Sequence, residues 1–298
     1  MSELMDSPAA KTVTPKRHDA LCSFAERVAQ LEAKAPMAER TRSNLVRALD
    51  SIDPAARDAF LDRHRDKLAD IETLASVKYA DLGYWAHRNV ILAQWLDLDQ
   101  SLPLDILDIG AGSGNFGMVA QSMGHRVVGT DVADDWYDEL CKLTGVERIV
   151  APVYREERYA PVDRKFDLIT IMLPAFHRKR VKGKREYWSV EDWRLFLLGL
   201  VQDLLKPNGK IFILMPLDKD DEGGLSYSPL VEWSRERGAR LDRTFRKGPV
   251  RHILFDPATE ATFGEAAPDV PEKSQIELGN PAEGFRTENP DLQVSAKA

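Results

Sequence analysis

Residues 106–117 read ILDIGAGSGNFG, an apolar segment typical of a strand, which runs into a glycine-rich turn. We predict that a helix begins directly after the turn, near Asn115. Because glycine has no Cβ and tolerates positive φ, the backbone of such a turn can approach a ligand closely. The start of the helix adds unpaired N–H groups and the positive end of the helix dipole. The sequence therefore predicts a site for a polar or anionic ligand at this turn.

Two glycine patterns fit the turn and imply different cofactors. Gly112, Gly114 and Gly117 satisfy the G-x-G-x-x-G pattern of dinucleotide-binding proteins. Asp108, Gly110, Gly112 and Gly114 satisfy D-x-G-x-G-x-G, which resembles motif I of the class I (Rossmann-like) S-adenosylmethionine-dependent methyltransferases. A carboxylate at position 108 would repel a pyrophosphate and attract a cofactor that carries an ammonium and a sulfonium group. Asp108 therefore favours S-adenosylmethionine over NAD.

The composition is that of a globular protein with one large domain and at most a small appendage. The chain has 298 residues, of which 43% are hydrophobic and 30% are charged. No apolar run approaches the ~20 residues needed to span a bilayer, and residues 1–16 lack the apolar core of a signal peptide. Cys22 and Cys141 match no metal-binding spacing. We therefore expect a cytoplasmic protein without zinc, and the net charge of -7 gives no sign of a general nucleic-acid-binding surface.

Four segments are expected along the chain. Apolar residues recur at helical spacing through the second segment, whereas strands and helices alternate through the third. From position 256 to the end there are nine acidic and three basic residues and few aliphatic ones. Such a segment buries too little apolar surface to offset its ordering entropy. The predicted segments are a disordered lead (1–16), a helical N-terminal segment (17–98), a cofactor-binding domain (99–257) and a disordered acidic tail (258–298).

The alternating part predicts the fold class. We expect an α/β, doubly wound, seven-stranded sheet of five parallel strands plus a C-terminal antiparallel hairpin, with an N-terminal helical extension. The predicted strands are 105–109, 125–131, 148–153, 166–172 and 210–215, followed by the hairpin strands 240–245 and 252–255. Dinucleotide-binding domains commonly have six parallel strands instead. The hairpin is thus a second argument for the methyltransferase variant of the doubly wound fold.

The resemblance to the methyltransferase family covers about residues 104–257, and it implies which residues hold the cofactor. Asp131, at the tip of strand two, is implied to accept hydrogen bonds from the ribose hydroxyls. The run 204–210 is similar to the family's L-x-P-G-G turn, with Asn208 replacing a glycine; asparagine tolerates the left-handed conformation. The implied cofactor residues are Asp108, Gly110, Gly112, Gly114, Asn115, Asp131, Met172 and Leu173.

Two further segments have open interpretations on the cofactor side. Many family members place an acid after strand three to bind adenine, whereas residues 151–156 read APVYRE. Glu156 or a backbone carbonyl could serve there instead. Upstream of the turn, Tyr79, Tyr84 or Trp85 is expected either to cover the ligand or to pack into the helical core.

The residues after strand four are expected to face the methyl acceptor. Nucleic-acid enzymes that methylate amines carry a motif resembling Asn/Asp-Pro-Pro-Tyr/Phe here, but this chain has Leu173 and Ala175 at the first and third positions. A base amine is therefore disfavoured as the acceptor. His177 is a candidate general base for a hydroxyl acceptor, although methyl transfer can also proceed by proximity and orientation alone.

A basic loop, residues 178–185, follows with six cations in eight positions. We expect Arg178, Arg180 and Trp188 to contact the substrate, with arginine clamping a phosphate or carboxylate. The loop could also contact nucleic acid or anionic lipid, remain solvated, or fold against the acidic tail.

The function favoured by these patterns is transfer of a methyl group from S-adenosylmethionine to a small-molecule acceptor, at oxygen, with an anionic acceptor as one option. The alternatives are a nucleic-acid methyltransferase that uses the basic loop, an NAD-dependent oxidoreductase, and a non-catalytic protein that binds S-adenosylmethionine. The sequence does not name the acceptor.

Overall fold

The computed structural model describes residues 19–69, 76–181, 184–220, 223–243 and 248–264. The predicted disordered lead and residues 265–298 of the predicted tail lie outside these ranges. Among the described residues, no helix combines the length and the apolar composition that crossing a membrane requires.

The N-terminal segment is helical where it is described. Ser23 and Glu26 form a capping box at the start of the first helix, and Asp53 caps the third helix just ahead of Pro54. Asp81 caps the fifth helix and also pairs with the buried Arg27 of the first. These helices are α1 (Phe24–Lys34), α2 (Glu39–Asp50), α3 (Pro54–Arg63), α4 (Arg65–Ala69) and α5 (Leu82–Trp95), with a 3-10 turn at Val77–Ala80.

Seven of the described strands form one sheet. Its order is β3-β2-β1-β4-β7-β9-β8, in which β1, β2, β3, β4 and β7 are parallel and β9 runs antiparallel to both of its neighbours. The strands are β1 (Asp105–Ile109), β2 (Arg126–Asp131), β3 (Glu147–Val150), β4 (Phe166–Met172), β5 (Arg178–Val181), β6 (Lys184–Tyr187), β7 (Leu205–Leu214), β8 (Arg240–Arg243) and β9 (Val250–Phe255). The predicted fold class is confirmed: five parallel strands and a C-terminal antiparallel hairpin.

Helices cover both faces of the sheet. Successive side chains of a strand point to opposite faces, and both faces carry buried apolar residues. They are α6 (Asn115–Ser122), α7 (Asp135–Thr144), α8 (Val190–Asp203), α9 (Ser228–Glu236) and α10 (Glu260–Phe263). Ile106 faces the core shared with the N-terminal helices and α6, whereas Leu107 faces the core shared with α8 and α9. The N-terminal helices thus pack on one face of the sheet; the boundary drawn at residue 98 stays a prediction.

Three local expectations need correction. The predicted basic loop is a hairpin, since β5 and β6 pair antiparallel and Arg180 lies opposite Arg185. The fifth parallel strand begins at Leu205 rather than at 210. Phe166 pairs with Leu205 and Leu168 with Lys210, so the predicted turn is an irregularity within β7, where Asn208 has φ 62°. The predicted tail begins too early, since Ala258 is buried and Phe263 of α10 is fully buried.

Candidate active site

The glycine turn has the backbone that the sequence predicts. Gly110, Gly112 and Gly114 have φ of 77°, 54° and 72°, values that side chains rarely adopt. A Cβ at Gly114 would lie 3.0 Å from Cys141 Sγ and 3.2 Å from Val146 Cβ, so this glycine is needed for packing against α7. A Cβ at Gly110 would meet nothing within 4 Å. The open space that a ligand needs therefore lies over Gly110.

Asp108 lies at the carboxyl end of β1, opposite Thr170 of β4, and is 1% exposed. Its Oδ1 accepts a hydrogen bond from Thr170 Oγ1 at 2.7 Å, while its Oδ2 has no partner among the described residues. Burial raises the pKa of Asp108 to about 7. The hydrogen bond from Thr170 lowers this pKa, and the negative charge of Asp131 raises it further. A buried carboxylate oxygen without a donor is destabilising, and a cationic ligand group would compensate it.

Asp131 joins the end of β2 to the glycine turn. Its Oδ2 accepts a hydrogen bond from the Gly112 N–H at 2.6 Å, and its Oδ1 accepts one from the Val132 N–H at 2.7 Å. Burial raises the pKa of Asp131, and these two backbone N–H groups oppose the shift. A carboxylate oxygen can accept more than one hydrogen bond, so both oxygens retain acceptor capacity for ligand hydroxyls.

Aromatic rings border the turn, as one reading of residues 78–89 predicts. The Tyr79 ring lies 4.7 Å from Trp85 and 5.9 Å from Tyr137 between centroids, and the Asn115 amide donates to the Tyr79 carbonyl at 3.3 Å. A Cβ at Gly112 would lie 3.9 Å from the Tyr137 ring. Sequence reasoning missed Tyr137; its position two residues into the helix after the Asp131 strand is the signal that could have indicated it.

The carboxyl end of β4 is strained at one residue. Leu173 has φ 51° and is 39% exposed, although its N–H still donates to the Leu214 carbonyl at 2.7 Å. The left-handed conformation costs a residue with a Cβ roughly 1–2 kcal/mol, and such strain concentrates at functional sites. Met172 beside it is half-buried against the core of the N-terminal helices.

The structure does not give His177 the exposed position that a general base needs. Its side chain is 2% exposed, with its ring 5.8 Å from Tyr187 and 5.9 Å from Trp193. Burial lowers the pKa of His177 to about 4, partly opposed by Asp218. An enclosed imidazole of such low basicity is poorly suited to take a proton from an acceptor at neutral pH.

The other predicted substrate residues are also committed to protein contacts, with one exception. Trp188 is 8% exposed and packs against Phe176 and Trp193, so it is part of the core. Arg178 forms an ion pair with Asp218. Arg180 remains exposed on β5.

No family model matches this chain, and no curated protein sequence matches it. Similar solved structures include three methyltransferases. The S-adenosylmethionine-dependent methyltransferase SibL in its apo form is 15% identical with a TM-score of 0.41, over 78% of this chain and 73% of that one. A TehB-like methyltransferase from Corynebacterium glutamicum is 17% identical with a TM-score of 0.37, over 69% and 100% of the two chains. The 1,6-didemethyltoxoflavin-N1-methyltransferase of Burkholderia thailandensis, with 1,6-didemethyltoxoflavin and S-adenosylhomocysteine bound, is 18% identical with a TM-score of 0.37, over 74% and 90%.

The strand order matches the fold predicted from the sequence. The antiparallel strand β9 is inserted between the parallel strands and the edge strand β8, where a dinucleotide-binding domain would have a sixth parallel strand. The described part of the chain thus has a doubly wound sheet closed by a C-terminal antiparallel hairpin. In this sheet, the carboxyl ends of β1, β2 and β4 meet at one edge, which brings together Asp108, Asp131 and Leu173.

Proposed function

We propose that this protein is an S-adenosylmethionine-dependent methyltransferase with a small-molecule acceptor. The observation that carries the proposal is the unpartnered Oδ2 of Asp108, buried behind an open glycine turn. S-adenosylmethionine is cationic at its sulfonium and ammonium groups, and a buried anion without a donor stabilises such a ligand. A pyrophosphate in the same place would be repelled, which counts against NAD.

The residues around the turn fit the remaining parts of this cofactor. Gly110 and Gly112 border the methionine part, and the Asp131 carboxylate accepts hydrogen bonds from the ribose hydroxyls. Val150, in register with Asp131 and 54% exposed, offers an apolar surface for the adenine ring. Tyr79, whose carbonyl accepts a hydrogen bond from the Asn115 amide at the start of α6, would cover the bound ligand.

When bound, S-adenosylmethionine supplies an electrophilic methyl group. The chain's own part is to hold the cofactor and the acceptor in line, a contribution that can supply most of the acceleration of such a displacement. Because His177 is buried, the expectation of an oxygen acceptor loses the base on which it depended. We therefore propose a small-molecule acceptor without choosing its atom.

Two observations favour a small molecule over a nucleic acid. Arg178 and Lys179 of the basic hairpin are paired with Asp218 and Glu186, which reduces the charge available for phosphates. Leu173 presents an apolar side chain where an amine-methylating enzyme would present a hydrogen-bond acceptor.

Calorimetry with S-adenosylmethionine, S-adenosylhomocysteine and NAD, each at pH 6, 7 and 8, tests the cofactor. We expect the first two ligands to bind in the micromolar range and NAD not to bind. Because a cationic ligand prefers the ionised carboxylate, affinity should rise as the pH passes through the pKa of Asp108, about 7. Binding of NAD alone would refute the proposal.

A matched pair of variants locates the effect. Asp108→Asn should weaken binding and flatten its pH dependence. Asp105→Asn changes the same residue type at the other end of β1, where the carboxylate pairs with Arg126 and Lys206, and should leave cofactor affinity unchanged. A metabolite screen that follows transfer of a labelled methyl group then identifies the acceptor.

A further inference from the structure

A small chamber lies beyond the carboxyl end of β4, on the sheet face opposite the N-terminal helices. Its volume is about 60 Å³, enough for about two water molecules at ~30 Å³ each. Its walls come from the residue after the β4 loop and from the starts of α8 and α9. The lining includes His177, Trp188, Trp193, Ser226, Tyr227 and Leu230.

Two buried hydroxyls of the lining residues, Ser226 Oγ and Tyr227 Oη, have no hydrogen-bond partner among the described residues. Neither ring nitrogen of His177 has a hydrogen bond of good geometry there, although the Pro174 carbonyl interacts with the ring and raises its pKa against the larger effect of burial. His177 and Tyr227 are 2% and 3% exposed, so bulk water does not satisfy them. The carboxylate nearest to His177, that of Asp218, lies 3.9 Å from Nε2 and is engaged by Arg178. Unsatisfied polar atoms destabilise a folded chain, and their concentration around one cavity requires an explanation.

We propose that this chamber binds an uncharged hydrogen-bonding group, a carboxamide or a hydroxyl, of a small ligand. This inference rests on the proposed function: the ligand is the methyl acceptor, and the chamber holds its polar end. His177 lies five residues beyond the end of β4, so its backbone is at most roughly 18 Å from the edge where the proposed cofactor site lies.

The chemistry of the lining selects the group. A neutral imidazole offers one donor and one acceptor, and the two hydroxyls can each do both, so the matching ligand carries donors and acceptors together. None of the lining residues in the described part of the chain is an acid, a lysine or an arginine, and the tryptophan and aliphatic walls would not solvate an ion. Ser189 and Pro229, which also line the chamber, are exposed, so the chamber can be reached beside the first turns of α8 and α9.

Three probes of similar size test this selection on the full chain labelled with ¹⁵N at its histidines. Acetamide has a donor and an acceptor, acetone has only an acceptor, and acetate is an anion. We expect acetamide in the millimolar range to shift the His177 ring nitrogen signals with saturation, and acetone and acetate to bind at least fivefold more weakly. Equal responses to all three, or no response to acetamide, would overturn the proposal.

Single-atom deletions test the same atoms. Tyr227→Phe and Ser226→Ala should each weaken acetamide binding about five- to tenfold, the effect of one hydrogen bond, while the Tm of the free protein stays level or rises. Ser234→Ala removes another buried hydroxyl without a partner among the described residues, outside the chamber, and should change Tm alike but leave acetamide binding unchanged. Tyr159→Phe removes a hydroxyl that donates to Thr130 at 2.6 Å and should lower Tm.

The two proposals can fail separately. Tight S-adenosylmethionine binding with a chamber indifferent to acetamide would overturn this inference and leave the cofactor proposal standing. Acetamide binding in a protein that does not bind S-adenosylmethionine would retain the chamber and remove the methyl acceptor as its ligand. A drop in Tm for Tyr227→Phe as large as that for Tyr159→Phe would show that the Tyr227 hydroxyl is structural, against the inference.

Discussion

Asp108 lies at the carboxyl end of β1, and His177 follows the neighbouring strand β4. The two residues are buried to the same degree, 1% and 2% exposed. Burial drives both toward their neutral forms, yet the pKa values move in opposite directions: that of Asp108 rises to about 7, and that of His177 falls to about 4. Near neutral pH, Asp108 is therefore balanced between its two forms, whereas His177 is uncharged. The region around Asp108 suits a cationic ligand, which favours ionisation of the carboxyl group. The region around His177 suits a neutral ligand.

The largest expected effect comes from Asp108 in the free protein. Its folded pKa lies above the unfolded value of 3.8, so the native state binds the extra proton and stability falls as pH rises from about 4 to 7. At about 1.4 kcal/mol per unit, the loss amounts to about 4 kcal/mol. In urea unfolding across this range, the free energy of unfolding of the wild type relative to Asp108→Asn should fall by this amount, since the opposite contribution of His177 is common to both proteins. Parallel profiles for the two proteins would show that Asp108 is not desolvated.

His177 should act over nearly the same pH range as Asp108, with the opposite sign. Its folded pKa lies below the unfolded value of 6.5, so the unfolded state binds the extra proton and stability falls as pH decreases from about 6.5 to 4. The shift corresponds to about 3 kcal/mol. The free energy of unfolding of the wild type relative to His177→Gln should therefore rise with pH across this range, whereas that relative to Asp108→Asn should fall, so each variant controls the other. A change of both differences in the same direction would contradict the opposite pKa shifts.

Replacement of Asp131 tests whether the cofactor region depends on its second acid. Asp131→Ala removes the acceptor of the Gly112 and Val132 N–H groups and the proposed acceptor of both ribose hydroxyls. Two hydrogen bonds to a charged group are together worth about 3 kcal/mol, so affinity for S-adenosylhomocysteine should fall about a hundredfold. Calorimetry measures the loss, and Asp105→Asn serves as the control. An unchanged affinity would remove Asp131 from the ribose site.

The backbone of the glycine turn could be predicted from the sequence, because its positive φ angles require particular residue types. The glycines at positive φ, the acid ahead of them and Asn208 at φ 62° each state a local requirement that the residue type reveals. The fold followed from strand periodicity in the same way.

The second region could not be predicted, because its character depends on contacts between distant segments. The run of cations gives no sign that residues 178–181 and 184–187 pair as antiparallel strands or that Tyr187 lies beside the His177 ring. Tyr227 and Ser226 reach the same chamber from some fifty residues farther along the chain. From the sequence alone, a histidine directly after a strand is a candidate general base. Whether its side chain is exposed depends on tertiary packing.

Leu173 stands between the two regions, and its strain gives the smallest expected effect. Leu173→Gly relieves the left-handed backbone cost, roughly 1–2 kcal/mol, and gives back part of the gain because glycine is more flexible when unfolded. Since the side chain is 39% exposed, little burial is lost, and the free energy of unfolding should rise by about 1 kcal/mol. Asn208→Gly, at φ 62°, is the matched control and should change stability less, because asparagine already tolerates that conformation. If Leu173→Gly also slows methyl transfer while the protein gains stability, the strain is maintained for function; if activity is unchanged, Leu173 positions neither the cofactor nor the acceptor.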